Sequence, residues 1–299
     1  MLKKLISGTI IALLVTFSEW YSPFLWFIVV CAIAILGNYE LQKIIEEKKY
    51  QQSYKLITTF IILFLFSTYV VAYIPIPSES ILDDLKLLLI PQNYLITTHD
   101  WRGIFAAPIT VVQNFILGIA FVLIIIVNLN YKPRVSIGDL SFVFTRIIYL
   151  GFFPSYMILL RAMPDGHKFL LAMLFSCSFS DMFAYFTGKA IGKTPFVQEI
   201  SPNKTVEGAI GGAISCIACF MTFGYFLIGI PWYHSLILGA MISITAPMGD
   251  LIESLFKRDV GKKDSGTLIP GHGGILDRVD SYIFTSFPVY FYILWAIYN

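Results

Sequence analysis

Apolar and polar positions alternate along this chain in long blocks, with extended apolar runs separated by short polar bridges. A hydrocarbon core about 30 Å thick needs roughly 20 apolar residues to be crossed by an α-helix. Runs of about that length predict nine spans, at about residues 5–20, 22–42, 56–75, 106–128, 141–162, 168–188, 205–229, 233–256 and 275–297. The expected fold is all-α: a polytopic integral membrane protein with about nine transmembrane helices. The first run is the shortest and ends at Glu19. Its Lys3–Lys4 start resembles that of a signal peptide, but no small-residue cleavage site follows and the next run begins at once. An uncleaved helix with a tight return at Tyr21–Ser22 is the expectation. Segment 76–105 carries Glu79, Asp83, Asp84 and Asp100 around an apolar patch at 85–90, the pattern of a short helix lying on the outer surface. With no internal repeat or low-complexity tract, residues 1–299 read as one membrane domain. It divides into N-terminal spans in 1–140 and a second set of spans in 141–299 that carries the polar motifs.

Composition sharpens this picture. The chain is 57% hydrophobic and 13% charged, against roughly 25% charged residues in soluble domains, so a water-soluble domain is excluded. A formal net charge of +2 argues against nucleic acid as a partner. The four cysteines, Cys31, Cys177, Cys216 and Cys219, all sit in apolar runs and read as packing residues.

Lys and Arg are retained on the cytoplasmic side of membranes. With the N-terminus inside, 16 of the 21 Lys and Arg residues fall on that side. Lys86, Arg102, Arg161 and Lys168 fall outside, and Arg146 lies within a span. This predicts an inner-membrane protein whose two long basic loops face the cytoplasm. Glu19, Glu40, Arg146 and Arg161 lie near span ends, where snorkelling or an interfacial pair accounts for each.

Polar chemistry concentrates in the last 120 residues or so, in three patches on the predicted cytoplasmic face. In the first, Asp181, Tyr185 and Lys189 recur every four residues and share one helical face. That spacing suits either a structural Asp–Lys pair or a carboxylate waiting for a cation. The second runs from Ser201 to Gly208. Ser or Asn there can cap a helix whose first turn holds Glu207, and Lys204 and Thr205 at the same helix end can equally hold a phosphate.

The third patch is the most informative. Asp250, Ser254, Lys257 and Arg258 form one stripe of a helix leaving the membrane, with the acid deeper and the bases at the mouth. A metal on the acid and phosphates on the bases would suit that order. A glycine-rich loop follows, 264–274, and then Asp277 and Asp280 one turn apart. Mg²⁺ prefers one or two carboxylates plus phosphates and water, and Asp250 and Asp277 could provide them. His272 has no His or Cys neighbour in sequence, which argues against zinc.

The run from Ser254 through Lys257-Arg258, Lys263-Asp264, Gly266, Pro270, His272-Gly273-Gly274 and Asp277-Arg278 to Asp280 resembles, without a gap, the 27-residue signature of the phosphatidate cytidylyltransferases (CDP-diacylglycerol synthases). The stretches from Ser201 to Gly208 and from Asp181 to Gly188 also resemble that family. Met182, Phe183, Lys189 and Val206 depart from its usual residues.

The resemblance implies a reaction in which CTP and phosphatidic acid give CDP-diacylglycerol and pyrophosphate. It implies Mg²⁺ on Asp250 and Asp277, with K⁺ as a second cation, supported by Asp280 and Asp181. Lys257, Arg258, Lys263 and Arg278 would meet phosphate groups. Ser201, Lys204, Thr205, Glu207, Ser254, Asp264 and His272 would complete the substrate site. The partners are then CTP, phosphatidic acid and the bilayer, with a homodimer left open. Two rival readings remain at this stage: a CTP-dependent polyprenol or phytol kinase, which shares the layout, and a transporter, which predicts polar residues spread through the bilayer rather than gathered at one face.

Overall fold

In a computed structural model of the protein, the described residues are 14–46, 54–73, 115–123, 126, 137–198, 200–259, 261, 266 and 273–298. The elements in chain order are α1 (Pro23–Glu46), α2 (Tyr54–Tyr73), α3 (Ile137–Ile147), a π-helical turn (Ile148–Phe152), α4 (Phe153–Ala162), α5 (Gly166–Ile191), β1 (Pro195–Val197), β2 (Ser201–Thr205), α6 (Val206–Phe223), α7 (Trp232–Asp259) and α8 (Leu276–Tyr292). Residues 14–21 and 115–123 are also helical. Further π turns extend α6 (Gly224–Ile228) and α8 (Ile293–Ile297).

Six helices among the described residues are long and apolar enough to cross a membrane: Pro23–Lys43, Tyr54–Tyr73, Leu140–Ala162, Gly166–Ile191, Val206–Ile228 and Trp232–Arg258. The expectation of about nine is therefore carried only in part. Segment 14–21 joins α1 through the single residue Ser22, whose N–H reaches Ser18 O at 3.5 Å and whose carbonyl accepts from Trp26 at 3.0 Å. Reversing two helices takes a loop of 2–5 residues, so this junction does not form the expected hairpin. Most of span 106–128 and all of segment 76–105 lie outside the described residues.

The last predicted span is helical from Leu276 to Ile297 but is not among the six. Its first turn is charged, and Ser281, Thr285 and Ser286 are buried within it. It tolerates these groups because protein surrounds it: α8 packs against α7, α4, α1 and α5. Ser286 Oγ donates to Phe153 O at 3.1 Å and Thr245 Oγ1 to Thr285 Oγ1 at 3.2 Å, so these hydroxyls are paired inside the bundle.

Small residues set the closest helix crossings, as is usual where lipid supplies no hydrophobic drive between helices. On α6, a Cβ at Gly208 would lie 2.7 Å from Ala184 O, and one at Gly212 would lie 2.8 Å from Ser180 O, both on α5. Between α7 and α8, a Cβ at Gly249 would lie 2.5 Å from Asp280 O. That last crossing brings Asp250 against α8. All four cysteines are free, and Cys216 and Cys219 are buried in the helix packing.

Two of the four span-end charges are corrected by the fold. Arg146 is 1% exposed and does not snorkel. Its guanidinium donates to Asn38 Oδ1 at 2.9 Å from Nε, to Asn38 O at 3.0 Å and to Gln42 Oε1 at 2.9 Å, tying α3 to α1. Glu40 is likewise buried. Glu19 and Arg161 do form a pair, with Arg161 Nε 3.7 Å from Glu19 Oε1 and 2.7 Å from Glu19 O.

Candidate active site

A short hairpin, absent from the all-α expectation, builds one wall of the site. β1 and β2 pair antiparallel, with Pro195 opposite Thr205 and Val197 opposite Ser201. Thr205 is the cap of α6: its Oγ1 accepts from Gly208 N at 3.1 Å, the role expected of Ser or Asn earlier in the motif. Glu207 reaches back to the two residues that precede β1. Its carboxylate accepts from Lys193 N at 3.1 Å, from Thr194 N at 3.2 Å and from Thr194 Oγ1 at 2.9 Å. Thr205 and Glu207 thus hold the hairpin on the helix and leave Lys204 projecting from β2. Lys204 Nζ meets Asp250 Oδ2 at 2.5 Å.

Asp250 belongs to a carboxylate group on α7 and α8. One oxygen each of Asp250, Glu253 and Asp280 lies within 4.8 Å of the others. Glu253 and Asp280 are buried and Asp250 is half-buried. Glu253 Oε1 has no hydrogen-bond partner among the described residues. Ser254 Oγ lies 3.5 Å from Asp250 Oδ1, and Asp280 Oδ1 accepts from Ser281 N at 2.7 Å.

Lys257 sits at the edge of this group. Its ammonium contacts Glu253 and also Asp277 Oδ1, the latter at 2.6 Å. Asp277 Oδ2 accepts from Gly274 N at 2.9 Å. Gly273 has φ +84°, which favours glycine, and a Cβ there would lie 2.9 Å from the same Oδ2. Arg258 donates from Nε to Ile200 O at 3.2 Å, joining α7 to the hairpin. Asp181 is solvent-accessible and within electrostatic reach of Asp250, Lys204 and Arg278.

The three patches of the sequence therefore converge. Asp181, Ser201, Lys204, Thr205, Glu207, Asp250, Ser254, Lys257, Arg258, Asp277, Arg278 and Asp280 are described and lie on elements that meet at one end of the bundle. Lys263, Asp264 and His272 lie outside the described residues. The expected partners Asp250 and Asp277 share this end but not one cluster of three acids. Asp280 and Glu253 join Asp250, while Asp277 shares Lys257 with Glu253 and lies beside that carboxylate.

Two functional candidates escaped the motif reading. Glu253 stood three residues from Asp250, a spacing that shares a helical face, so its signal was present. Glu40 stands out in the sequence only as a charge near a span end, because its partners, the Ile275 and Leu276 amides, are some 235 residues away in the chain.

Comparison with known proteins bears on the chemistry. The chain is 34% identical over 210 residues to an uncharacterized protein, YnbB, of Escherichia coli strain K12, covering 69% of this chain and 68% of that protein. It is 35% identical over 195 residues to a phosphatidate cytidylyltransferase of Synechocystis, covering 56% and 66%, and 35% identical over 174 residues to one of Bacillus subtilis, covering 58% and 65%. The matched stretches thus span about two thirds, or slightly less, of these relatives' lengths. A model of the Cytidylyltransferase family matches residues 2–296. Nearly the whole chain is covered, carboxylate cluster and basic residues included, and the chain belongs to the cytidylyltransferase family of nucleotidyltransferases.

Proposed function

We propose that this chain transfers the cytidylyl group of CTP to phosphatidic acid, forming CDP-diacylglycerol and releasing pyrophosphate for phospholipid synthesis. The observation that carries the reading is the carboxylate cluster of Asp250, Glu253 and Asp280, flanked by Lys204 and Lys257 at the end of a membrane bundle. The acceptor, phosphatidate, and the cytidylyl group transferred are those in the names of the Synechocystis and Bacillus relatives.

The donor set fits Mg²⁺. It consists of hard carboxylate oxygens from two helices, and the buried Glu253 Oε1 lacks a hydrogen-bond donor among the described residues. When bound, the cation offsets the negative charge of the triphosphate. Asp250, Glu253 and Asp280 would hold it. Asp277, the other expected ligand, keeps Lys257 in place beside them.

The reaction needs positioning and charge neutralisation more than covalent work by the protein. A phosphate oxygen of the lipid attacks the α-phosphorus of CTP, and the bond to the β-phosphate oxygen breaks, freeing pyrophosphate. Lys204 and Lys257 stand where phosphate oxygens would meet them beside the acids. Arg258 and Arg278 are exposed at the rim and would meet the rest of the nucleotide. The acyl chains stay in the bilayer, and exposed Phe179, Phe183, Phe186, Ile210 and Ile214 on α5 and α6 give them an apolar flank. Lys193, Lys204, Lys257, Arg258 and Arg278 gather at this end, and that run of basic residues supports a cytoplasmic face for the site.

Purified protein given cytidine-labelled CTP, phosphatidic acid and Mg²⁺ tests this directly. Label in the lipid, lost on chelation, is the expected result. Label confined to free CDP would replace the reading with a lipid kinase, and no consumption of CTP would overturn both.

A further inference from the structure

Glu40 lies on α1, far in sequence from every motif of the site, and is 1% exposed. Its Oε1 accepts from Ile275 N at 2.9 Å and its Oε2 from Leu276 N at 3.0 Å. These are amides at the start of α8, the helix that carries Asp277 and Asp280. Amides there have no partner within the helix, and a carboxylate opposite them is favoured by the helix dipole as well. Gly266 lies beside the same group: a Cβ there would lie 2.8 Å from Glu40 Oε1.

The helix that carries Glu40 is held in turn. Asn38 and Gln42 share one face of α1 and are bound by Arg146. At 100° per residue, Glu40 lies roughly 200° around the helix from Asn38, close to the opposite face. α1 is thus fastened on one side to α3 and on the other to the start of α8. This route connects the N-terminal half of the chain to the carboxylate cluster.

We infer that Glu40 is a positioning residue for nucleotidyl transfer. Its two oxygens set the start of α8, and so the placement of Asp280 against Asp250 and Glu253. What is positioned rests on the proposed reaction, whereas the anchoring itself does not. The geometry makes the carboxylate specific. Glutamine keeps one acceptor but turns an NH₂ donor toward the second amide. Aspartate is shorter by one methylene and cannot reach both amides from the same backbone.

The test uses the full chain in detergent with Glu40→Gln and Glu40→Asp variants. Hydrogen exchange at the 275–276 amides is measured without substrate, Mn²⁺ binding without nucleotide, and kcat and KM for CTP across a Mg²⁺ titration. Expected for Glu40→Gln are faster exchange at 275–276 and about 10- to 100-fold weaker Mn²⁺ binding and half-saturation by Mg²⁺, the range for loss of a group that orients metal ligands. kcat falls, KM for CTP at saturating Mg²⁺ stays within about twofold because nucleotide contacts are intact, and Glu40→Asp falls between. Faster exchange with unchanged Mn²⁺ binding overturns the inference, because Glu40 would then only hold the fold. Unchanged exchange overturns it too. If Glu40→Gln does not fold, Glu40→Asp decides by the same criteria. A wild-type protein that makes no CDP-lipid refutes the proposed reaction, while the exchange and Mn²⁺ measurements still judge Glu40.

Discussion

The two ends of this bundle bury carboxylates in different ways. At one end Glu19 is fully buried and Arg161 lies against it, its guanidinium contacting both the Glu19 carboxylate and the Glu19 carbonyl. One acid faces one base through an ion pair, while neither Glu19 carboxylate oxygen has a hydrogen-bond partner among the described residues. At the other end Asp250, Glu253, Asp280 and Asp277 gather on α7 and α8, with Lys204 paired to Asp250 and Lys257 to Glu253 and Asp277. Burial of a charge is tolerated when a partner offsets it. A single acid–base pair ties two segments together at the first end, whereas the three converging carboxylates at the second are the donors of the proposed cation site.

The comparison can be broken experimentally. Asp250→Asn, Glu253→Gln or Asp280→Asn should each lower cytidylyl transfer by more than about 100-fold, beyond the loss expected for a group that merely supports a ligand. Each protein should still elute as a folded species in detergent, and Mg²⁺-dependent turnover near wild type in any of them would remove that acid from the cluster's function. Asp277→Asn ranks next, at about 10- to 100-fold, since this carboxylate acts on the cluster through Lys257. A larger loss, together with loss of Mn²⁺ binding, would promote it to a ligand.

Gly249→Ala adds a Cβ that would lie 2.5 Å from the Asp280 carbonyl. Overpacking of this kind costs typically 1–3 kcal/mol, roughly, so the thermal midpoint and the turnover should fall together. Unchanged values for both would mean that the α7–α8 crossing has slack. Arg258→Ala should raise KM for CTP about tenfold, the size of one charge-assisted contact, and its hairpin bond to Ile200 predicts a smaller fall in kcat. The smallest effect on chemistry belongs to the far end. Arg161→Met leaves Glu19 buried beside an apolar side chain and should cost roughly 3–5 kcal/mol of stability. Turnover per folded molecule should stay within about twofold, because the site is about 30 Å away along α1 at 1.5 Å per residue. A large loss of kcat without a loss of stability would erase the distinction between the two ends.

Much of the site was legible before any coordinates. Asp250, Ser254, Lys257 and Arg258 share a face by helical spacing alone, and the structure keeps them together on α7. The resemblance implies that Ser201–Gly208 belongs to the same site, and the fold brings Lys204 of that stretch against Asp250. The hairpin was missed because it interrupts apolar runs with a stretch containing Pro195 and Pro202, which reads as a loop unless its pairing is known. Glu207 reads as a helix-dipole residue from its position in the first turn, yet its carboxylate chiefly holds the Lys193–Thr194 backbone.

Local spacing along the chain determined the membrane class, the helical faces and the residue types of the site, because hydropathy and the 3.6-residue repeat act over one helix at a time. Tertiary structure alone decided which acids share a cluster, since Asp280 meets Asp250 and Glu253 only where Gly249 lets α7 and α8 touch. It also decided the partner of Glu40. A carboxylate in an apolar run is ambiguous until the fold shows whether it meets lipid, a base or the free amides of a distant helix, and no spacing rule spans that separation.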